Sequence, residues 1–521
     1  MPVQLNIDWV LLAPEIGVLI LAALVLAVDL IFPAAKKELF GQAVAAGLLI
    51  VLTVVLASSV GFATTFGGLF IADSLSAVFK VIILIAAILV SLASSHYAPA
   101  VTRNVAEYYV LLLLSTTGLM LMTSAGDLLT TYLAIELSTI SLYVLAGYMT
   151  REPRSAEAGL KYLLLGAIAS GILIYGASLV FGTLGTTRYA RISEILASRP
   201  WAWSPAALLG LLFVGAGFAF KVTASPFHMW APDVYQGAPT PITAFLSVAS
   251  KSAGFSVLMR VFLGPFFQAR SDWAVAIAVL SALSMVVGNL VAIPQTNIKR
   301  MLAYSGIAQA GYVLVGVATL SQTGAGASMF YLAQYVFTNA GAFLVVAAVA
   351  SAIGSEEIKD YTGLAPRNPP LAFAMLLLLL SLGGIPPLAG FWAKVYVFTA
   401  GIQAGLWWLV LLAALLSVLA LYYYLMVVKY MYIFPPVQSD PVRVKWSSGL
   451  AIGVCAVAVV LMAYPRPYIA ATSAAARSAF QRPPLAPIVR AEQSSPTPSL
   501  PQVADKPLVP GAEPRLPGLS R

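Results

Sequence analysis

Four charged residues stand inside apolar runs where charge is costly: Glu136, Lys221, Lys251 and Lys394. A charged group at the centre of a bilayer costs about 2.5 to 3.5 kcal/mol even on lenient insertion scales, so four of them ask for a function. Amines and a carboxylate take up and release protons, and proton or ion handling is the chemistry they suggest. Lys221 and Lys251 flank a prolyl interruption rich in aromatics, FKVTASPFHMWAPDVYQGAPTP. Glu136 lies near the middle of its run, with Tyr132, Thr139 and Tyr143 on the same helical face. Lys251 is backed by Ser247 and Thr243, one and two turns earlier. Further along, Ser305, Gln309 and Tyr312 share a face, as do Tyr331, Gln334, Tyr335 and Thr338. Such faces can hold a file of water, which needs polar partners at each step.

Magnitudes suggest how these groups would work together. Against a membrane potential of about 150 mV, moving one charge costs roughly 3.5 kcal/mol. Making or breaking one Glu–Lys contact at about 4 Å is worth about 4 kcal/mol at an effective dielectric of about 20. A Glu136–Lys221 pair that opens and closes is therefore matched to driving a proton from Lys251 toward Lys394. The structural alternative for Lys221 is a pair with Glu136 that only neutralises two charges. Lys80 has a plainer reading, snorkelling or pairing with Asp73 two turns away. Glu15, Asp29 and Asp127 are expected at the membrane interfaces.

The elements that must position these residues are membrane helices. Of 521 residues, 60% are hydrophobic and 9% charged, whereas soluble domains carry roughly 25% charged residues. The chain reads as an all-α polytopic membrane protein. Its single Cys455 excludes an internal disulfide and a multi-cysteine metal or iron–sulfur site, and His96 and His228 are too few for a haem pair or a zinc cluster. The net charge of +9 is no nucleic-acid signal, because most basic residues fall in short loops. No cleavable signal peptide is evident. Hydrophobic runs between Gly, Pro and charged punctuation suggest fourteen spans. One set of alternate loops carries Lys36, Lys37, Arg103, Arg151, Arg154, Lys299, Arg300, Lys359, Arg367, Lys429, Arg443 and Lys445. The positive-inside rule then puts both termini on the outer side.

Two spans are interrupted. Pro226 lacks an N–H and crowds the carbonyl of Val222, breaking the seventh span just after Lys221. In the twelfth, Gly383-Gly384-Ile385-Pro386-Pro387 breaks the run ahead of Lys394. Backbone freed in this way must line a cavity or be covered by protein. Paired broken helices point to an inverted-repeat transporter with sites near the midplane; the alternative is two ordinary proline kinks. The expected organisation is helices 1–3 over residues 1–104, a first repeat of helices 4–8 over 105–264 and a second, inverted repeat of helices 9–13 over 265–434. Helix 14 follows over 435–464, then a Pro-rich, disordered tail over 465–521.

At these residues the chain resembles subunit N of NADH–quinone oxidoreductase, respiratory complex I, called subunit 2 in organelles. The prolyl stretch and the following SVASKSAGF carry the resemblance, with YLAIELSTISLYVLAGY, SAEAGLKYLLLGAIASG, NIKRMLAYSGIAQAGY, FYLAQYVFTNAGAF and LLSLGGIPPLAGFWAKVYVF. It covers nearly all the helices and excludes the tail. The resemblance implies an antiporter-like proton-pumping subunit in which Glu136 pairs with Lys221, Lys251 is the central proton carrier and Lys394 the terminal one. It also implies partner subunits: other antiporter-like membrane chains, and chains holding flavin, iron–sulfur centres and the quinone site for NADH or another donor. No cofactor or metal is expected in this chain, and no nucleic-acid partner. Many bacterial members have histidine where Gln309 stands. Glutamine takes up no proton, so a relay there would depend on Tyr312, Ser305 or water. His228 is suited either to an inner-side proton path or simply to hydrogen-bonding the broken backbone. A bacterial plasma membrane is the default expectation, with thylakoid and mitochondrial inner membranes also open. The competing reading, a cation/proton antiporter of the same fold, would call for more buried carboxylates, since hard cations prefer oxygen ligands. A passive scaffold would not need four intramembrane lysines.

Overall fold

The computed structural model describes residues 7–480 except 33–35, 59–60, 199–202 and 437–439. Helices α1 (Ala13–Ile31) and α2 (Glu38–Ala57) lead to a hairpin, β1 (Ala63–Thr65) against β2 (Phe70–Ala72), and then to the long α3 (Ser74–Val101). Asp73 starts α3 with a capping box, its carboxylate accepting from Ser76 N while Ser76 Oγ accepts from Asp73 N. There follow α4 (Val105–Ser124), α5 (Leu128–Ala146), α6 (Pro153–Leu184) and a short α7 (Tyr189–Ser198). The broken seventh run gives α8 (Pro205–Lys221) and α9 (Ala231–Gly237). Next, α10 (Thr240–Phe245) passes through a π-helical turn, Leu246–Ser250, into α11 (Lys251–Phe262).

The second half repeats these devices. Helices α12 (Arg270–Ala292) and α13 (Ile298–Ala318) pack side by side. Helix α14 (Gln322–Tyr335) runs through a second π turn, Val336–Ala340, into α15 (Gly341–Ile353). A single turn, α16 (Leu364–Arg367), precedes the broken twelfth run, α17 (Pro369–Gly383) and α18 (Ala389–Gln403). Then come α19 (Trp407–Tyr432), α20 (Trp446–Leu461) and α21 (Arg466–Phe480).

Among the described residues, eleven helices are long and apolar enough to cross a membrane, or twelve if α20 and α21, bent by 89°, form one span. The fourteen suggested by sequence exceed this because the prolyl breaks leave α8 and α17 as shorter apolar helices. Both breaks fall where Pro226 and Pro386-Pro387 put them, and the peptides Ser225–Pro226 and Pro386–Pro387 are cis. Close packing relies on small residues: Gly176 on α6 and Gly210 on α8 face each other so tightly that a Cβ on either would stand within 3 Å of the other's carbonyl.

Two expectations are corrected. Lys80 does not pair with Asp73; its Nζ lies 2.7 Å from Glu15 Oε1, and both side chains are buried. Asp73 is held back over the helix start by its capping role and meets Arg260 in a bidentate pair at 2.8 and 2.9 Å. Glu15, in the first turn of α1, is thus the buried partner of Lys80. Arg466–Phe480, expected to be disordered, is a helix, because this stretch is rich in alanine, the strongest helix former. Its small face (Thr472, Ala475, Ala476, Ala479) is buried against α14, α3 and α11. The rest of the expected tail, 481–521, lies outside the described residues.

Candidate functional site

Lys221 is the last residue of α8. Beyond it Thr223 adopts a left-handed backbone (φ 61°), and the freed amide of Ser225 donates to Ser284 Oγ on α12 at 2.8 Å. Trp230 Nε1 donates to Phe220 O at 3.1 Å, closing the break from the other side. The Lys221 ammonium is buried and donates to Ser138 Oγ on α5 at 3.1 Å. Glu136 sits two residues before Ser138 but accepts from Ser170 of α6 instead. Among the described residues no ion pair joins Glu136 to Lys221, so the structure holds the expected pair apart. Tyr143 packs edge-on to Tyr162 at 4.7 Å, and neither it nor Tyr132 hydrogen-bonds Glu136. His228 is half-buried on the break, its Nδ1 without a hydrogen-bond partner, beside the exposed Pro226.

Lys251 begins α11, buried, and donates to Gly306 O on α13 at 2.6 Å. Its Nζ lies 5.6 Å from the centre of the Tyr335 ring. Ser247 does not back it as the spacing suggested. The wider π turn takes Ser247 out of line with Lys251, and Ser247 instead accepts from Asn339 Nδ2 at 2.8 Å, tying the two π turns together.

Lys394 lies over the twelfth break. It donates to Leu382 O at 3.1 Å, Gly383 O at 2.8 Å and Ser417 Oγ at 2.7 Å. An ammonium at the carbonyl end of α17 satisfies groups the helix leaves free and complements its dipole. The Tyr312 ring centre is 5.0 Å from Nζ, and Tyr312 Oη accepts from Asn289 at 3.2 Å.

Between Lys251 and Lys394 the polar face of α13 carries a hydrogen-bonded cluster. Ser305 Oγ and Tyr424 Oη of α19 are 2.5 Å apart. Gln309 Nε2 donates to Tyr424 Oη and to Leu382 O, both at 3.2 Å, while Tyr331 donates to Gln309 Oε1. Leu382 O thus serves Gln309 and Lys394 together. Ser305 and Gln309 belong to this cluster, whereas Tyr312 and Tyr335 only set their rings against Lys394 and Lys251, the Tyr335 hydroxyl having no partner among the described residues. Sequence reasoning missed Tyr424 and Ser417, because the tyrosine-rich stretch of α19 reads as an interfacial aromatic belt before Lys429. It also missed Ser138 and Ser170, which look like ordinary small helix residues.

A cavity of about 860 Å³ lies apart from these amines, lined by His96, Tyr97, Thr240, Lys299, Glu356 and Arg443 among others. Lys299 spans its wall, 3.1 Å from Glu356 and donating to Ala238 O at 2.8 Å. Thr240, on its lining, opens the helix that continues to Lys251.

Comparison with known proteins identifies the family. The transmembrane family described as NADH:quinone oxidoreductase/Mrp antiporter matches residues 125–420. NADH-quinone oxidoreductase subunit N of Moorella thermoacetica is 46% identical over 88% of this chain and 96% of its own length. NAD(P)H-quinone oxidoreductase subunit 2 of Synechocystis sp. is 41% identical over 88% of this chain and 89% of its own. A chain of respiratory complex I from Thermus thermophilus is 32% identical with a TM-score of 0.75, covering 89% of this chain and 100% of that one. A chain of the Mrp complex from Dietzia sp., 21% identical, shares the fold at a TM-score of 0.81 over 90% of this chain and 97% of its own. By these matches, and by the buried amines set along its two broken helices, the chain belongs to the NADH-quinone oxidoreductase subunit N family.

Proposed function

We propose that this chain is the proton-translocating membrane subunit of an NADH (or related donor):quinone oxidoreductase, moving protons through Lys251 and Lys394 under the control of Glu136 and Lys221. The observation that carries the reading is the hydrogen-bonded cluster of Ser305, Tyr424 and Gln309, which reaches Lys394 through Leu382 O and begins one residue from Gly306, whose carbonyl accepts from Lys251. In the present geometry Glu136 and Lys221 are apart, each on its own serine. Closing that pair and reopening it supplies a change of about the size needed to move one charge against the membrane potential. The 860 Å³ cavity, with Thr240 on its lining, suits an inner-side vestibule leading along α10 to Lys251.

Counted by crossings, the broken pairs α8/α9 and α17/α18 each make one span and α20 another, giving fourteen. The two π turns and two prolyl breaks support inverted repeats over helices 4–8 and 9–13. Basic residues concentrated on one side favour both termini outside. The redox centres belong to partner subunits. Glu136 supports a membrane partner as well. It is half-buried on an α5 face whose neighbours Leu133 and Ile140 are 59% and 58% exposed. A carboxylate there would meet lipid unless another subunit covers it.

The test uses inverted membrane vesicles carrying the assembled complex. NADH-driven acidification is followed with a pH-sensitive dye in Lys251→Ala and Lys221→Ala. We expect its initial rate to fall at least about tenfold in each. Undiminished proton uptake in both variants rules the reading out. Sodium-for-proton exchange by the purified chain alone would favour the antiporter reading.

A further inference from the structure

We infer that Tyr424 of α19 is a proton-relay residue between Lys251 and Lys394, its hydroxyl doing what the Gln309 amide cannot. The inference rests on the proton-translocating reading above. Both N–H groups of Gln309 are committed, one to Leu382 O and one to Tyr424 Oη, and its oxygen accepts the Tyr331 hydroxyl. An amide fixed in this way has no basic nitrogen with which to receive a proton. Tyr424 is different. Its oxygen accepts from Gln309 and lies 2.5 Å from Ser305 Oγ, a contact in which either hydroxyl can donate. Both side chains are fully enclosed, and Ser305 precedes Gly306, whose carbonyl holds the Lys251 ammonium. On the far side, Leu382 O is bridged to Tyr424 through Gln309 and receives Lys394 Nζ at 3.1 Å.

The step balances at the hydroxyl. Lys251 gives a proton to Ser305 Oγ, Ser305 passes its own hydrogen to Tyr424 Oη, and Tyr424 releases its hydrogen toward Lys394 once that lysine has given up a proton and stands as the free amine. Each hydroxyl forms one O–H bond and breaks one and ends neutral, while one N–H bond breaks at Lys251 and one forms at Lys394. Helix α19 holds the two hydroxyls that flank this transfer. Tyr424 faces Ser305, and Ser417, two turns earlier on the same helix, accepts from Lys394.

The experiment compares Tyr424→Phe, Tyr424→Phe/Gln309→His and Lys251→Ala with the parent chain in vesicles of matched complex content, reading the initial rate of NADH-driven acidification. Tyr424→Phe should lower the rate at least about tenfold. Adding Gln309→His should restore most of it, because an imidazole supplies a donor and an acceptor one turn from Ser305. The restored rate should vary between about pH 6 and 8, where imidazole titrates, unlike that of the parent. A parent-like rate in Tyr424→Phe, or a loss that the histidine does not repair, overturns the inference and leaves Tyr424 a packing residue. If Tyr424→Phe does not assemble, Ser305→Ala decides, since it removes the other end of the same contact; a parent-like rate there also overturns it. Lys251→Ala separates the two levels: parent-like pumping in that variant removes the proton reading itself, whereas its loss alongside a normal Tyr424→Phe removes only the relay.

Discussion

Each of the three lysines along the proposed path is met by a glycine on a neighbouring element. A Cβ on Gly254 would stand 3.1 Å from Lys221 Cγ, one on Gly306 3.1 Å from Lys251 Nζ, and one on Gly384 2.9 Å from Lys394 Cδ. The Gly306 site is the sharpest, because the same Cβ would also lie 3.1 Å from Tyr335 Oη. Alanine favours helix by about 0.8 to 1.0 kcal/mol over glycine. Gly306→Ala should therefore assemble normally and yet slow proton pumping by roughly tenfold or more, the scale on which small misplacements cost rate. Full pumping in that variant would show that the ammonium has room to spare. The lysines themselves were legible in the sequence, since a charge in an apolar run declares its cost. Their glycines and serines were not, because Gly306, Ser138 and Ser170 acquire meaning only when another helix brings an ammonium or carboxylate against them.

At the scale of elements, the ends of α3, α4 and α11 are clasped by one guanidinium. Arg260 holds Asp73 bidentately and donates to Thr123 O at 2.9 and 3.1 Å. Burial pushes the Asp73 carboxyl up, but the Arg260 charge, with hydrogen bonds from Arg260 and Ser76, outweighs it and holds the group below the usual carboxylate range. A carboxyl depressed in the folded state stabilises the fold above its unfolded value of about 3.9, and that contribution is lost as pH falls through the lower folded value. Asp73→Asn should cost about 3 to 5 kcal/mol at neutral pH, read as a lower midpoint of thermal unfolding in detergent. The difference from the parent should shrink as the pH is taken below about 4. An unchanged midpoint at neutral pH would make the clasp ornamental. The prolyl breaks were readable because Pro226 and Pro386 remove donors and obstruct the preceding turn. The partners of Asp73 and Lys80 were not, since Arg260 and Glu15 lie far away in sequence and the near neighbour looked sufficient. The π turns also escaped notice, and with them the displacement of Ser247.

At the scale of the molecule, the exposed α5 face bearing Glu136 separates a chain in lipid from a chain in a complex. Leu133→Trp adds apolar bulk that lipid accommodates and a packed interface does not. Overpacking costs about 1 to 3 kcal/mol, so association should weaken by roughly ten- to a hundredfold. The readout is the amount of intact complex recovered per membrane in mild detergent, and undiminished recovery would mean that this face meets lipid. Class and family were open to reading from composition and the wording around Lys221. The ordered stretch at Arg466–Phe480 was not, because its alanines carry no broad apolar stripe and prolines follow.

That last helix has a consequence for how the protein is made. It is the final described segment to leave the ribosome, yet it lies across α11 of one half and α14 of the other, with Ser473 Cα 2.9 Å from where a Gly326 Cβ would stand. A message cut short ahead of Arg466 would yield a product with both halves present and nothing closing over them. Cellular proteases would meet a bare seam on such a product, and a purification handle should be fused after Phe480, never before Arg466.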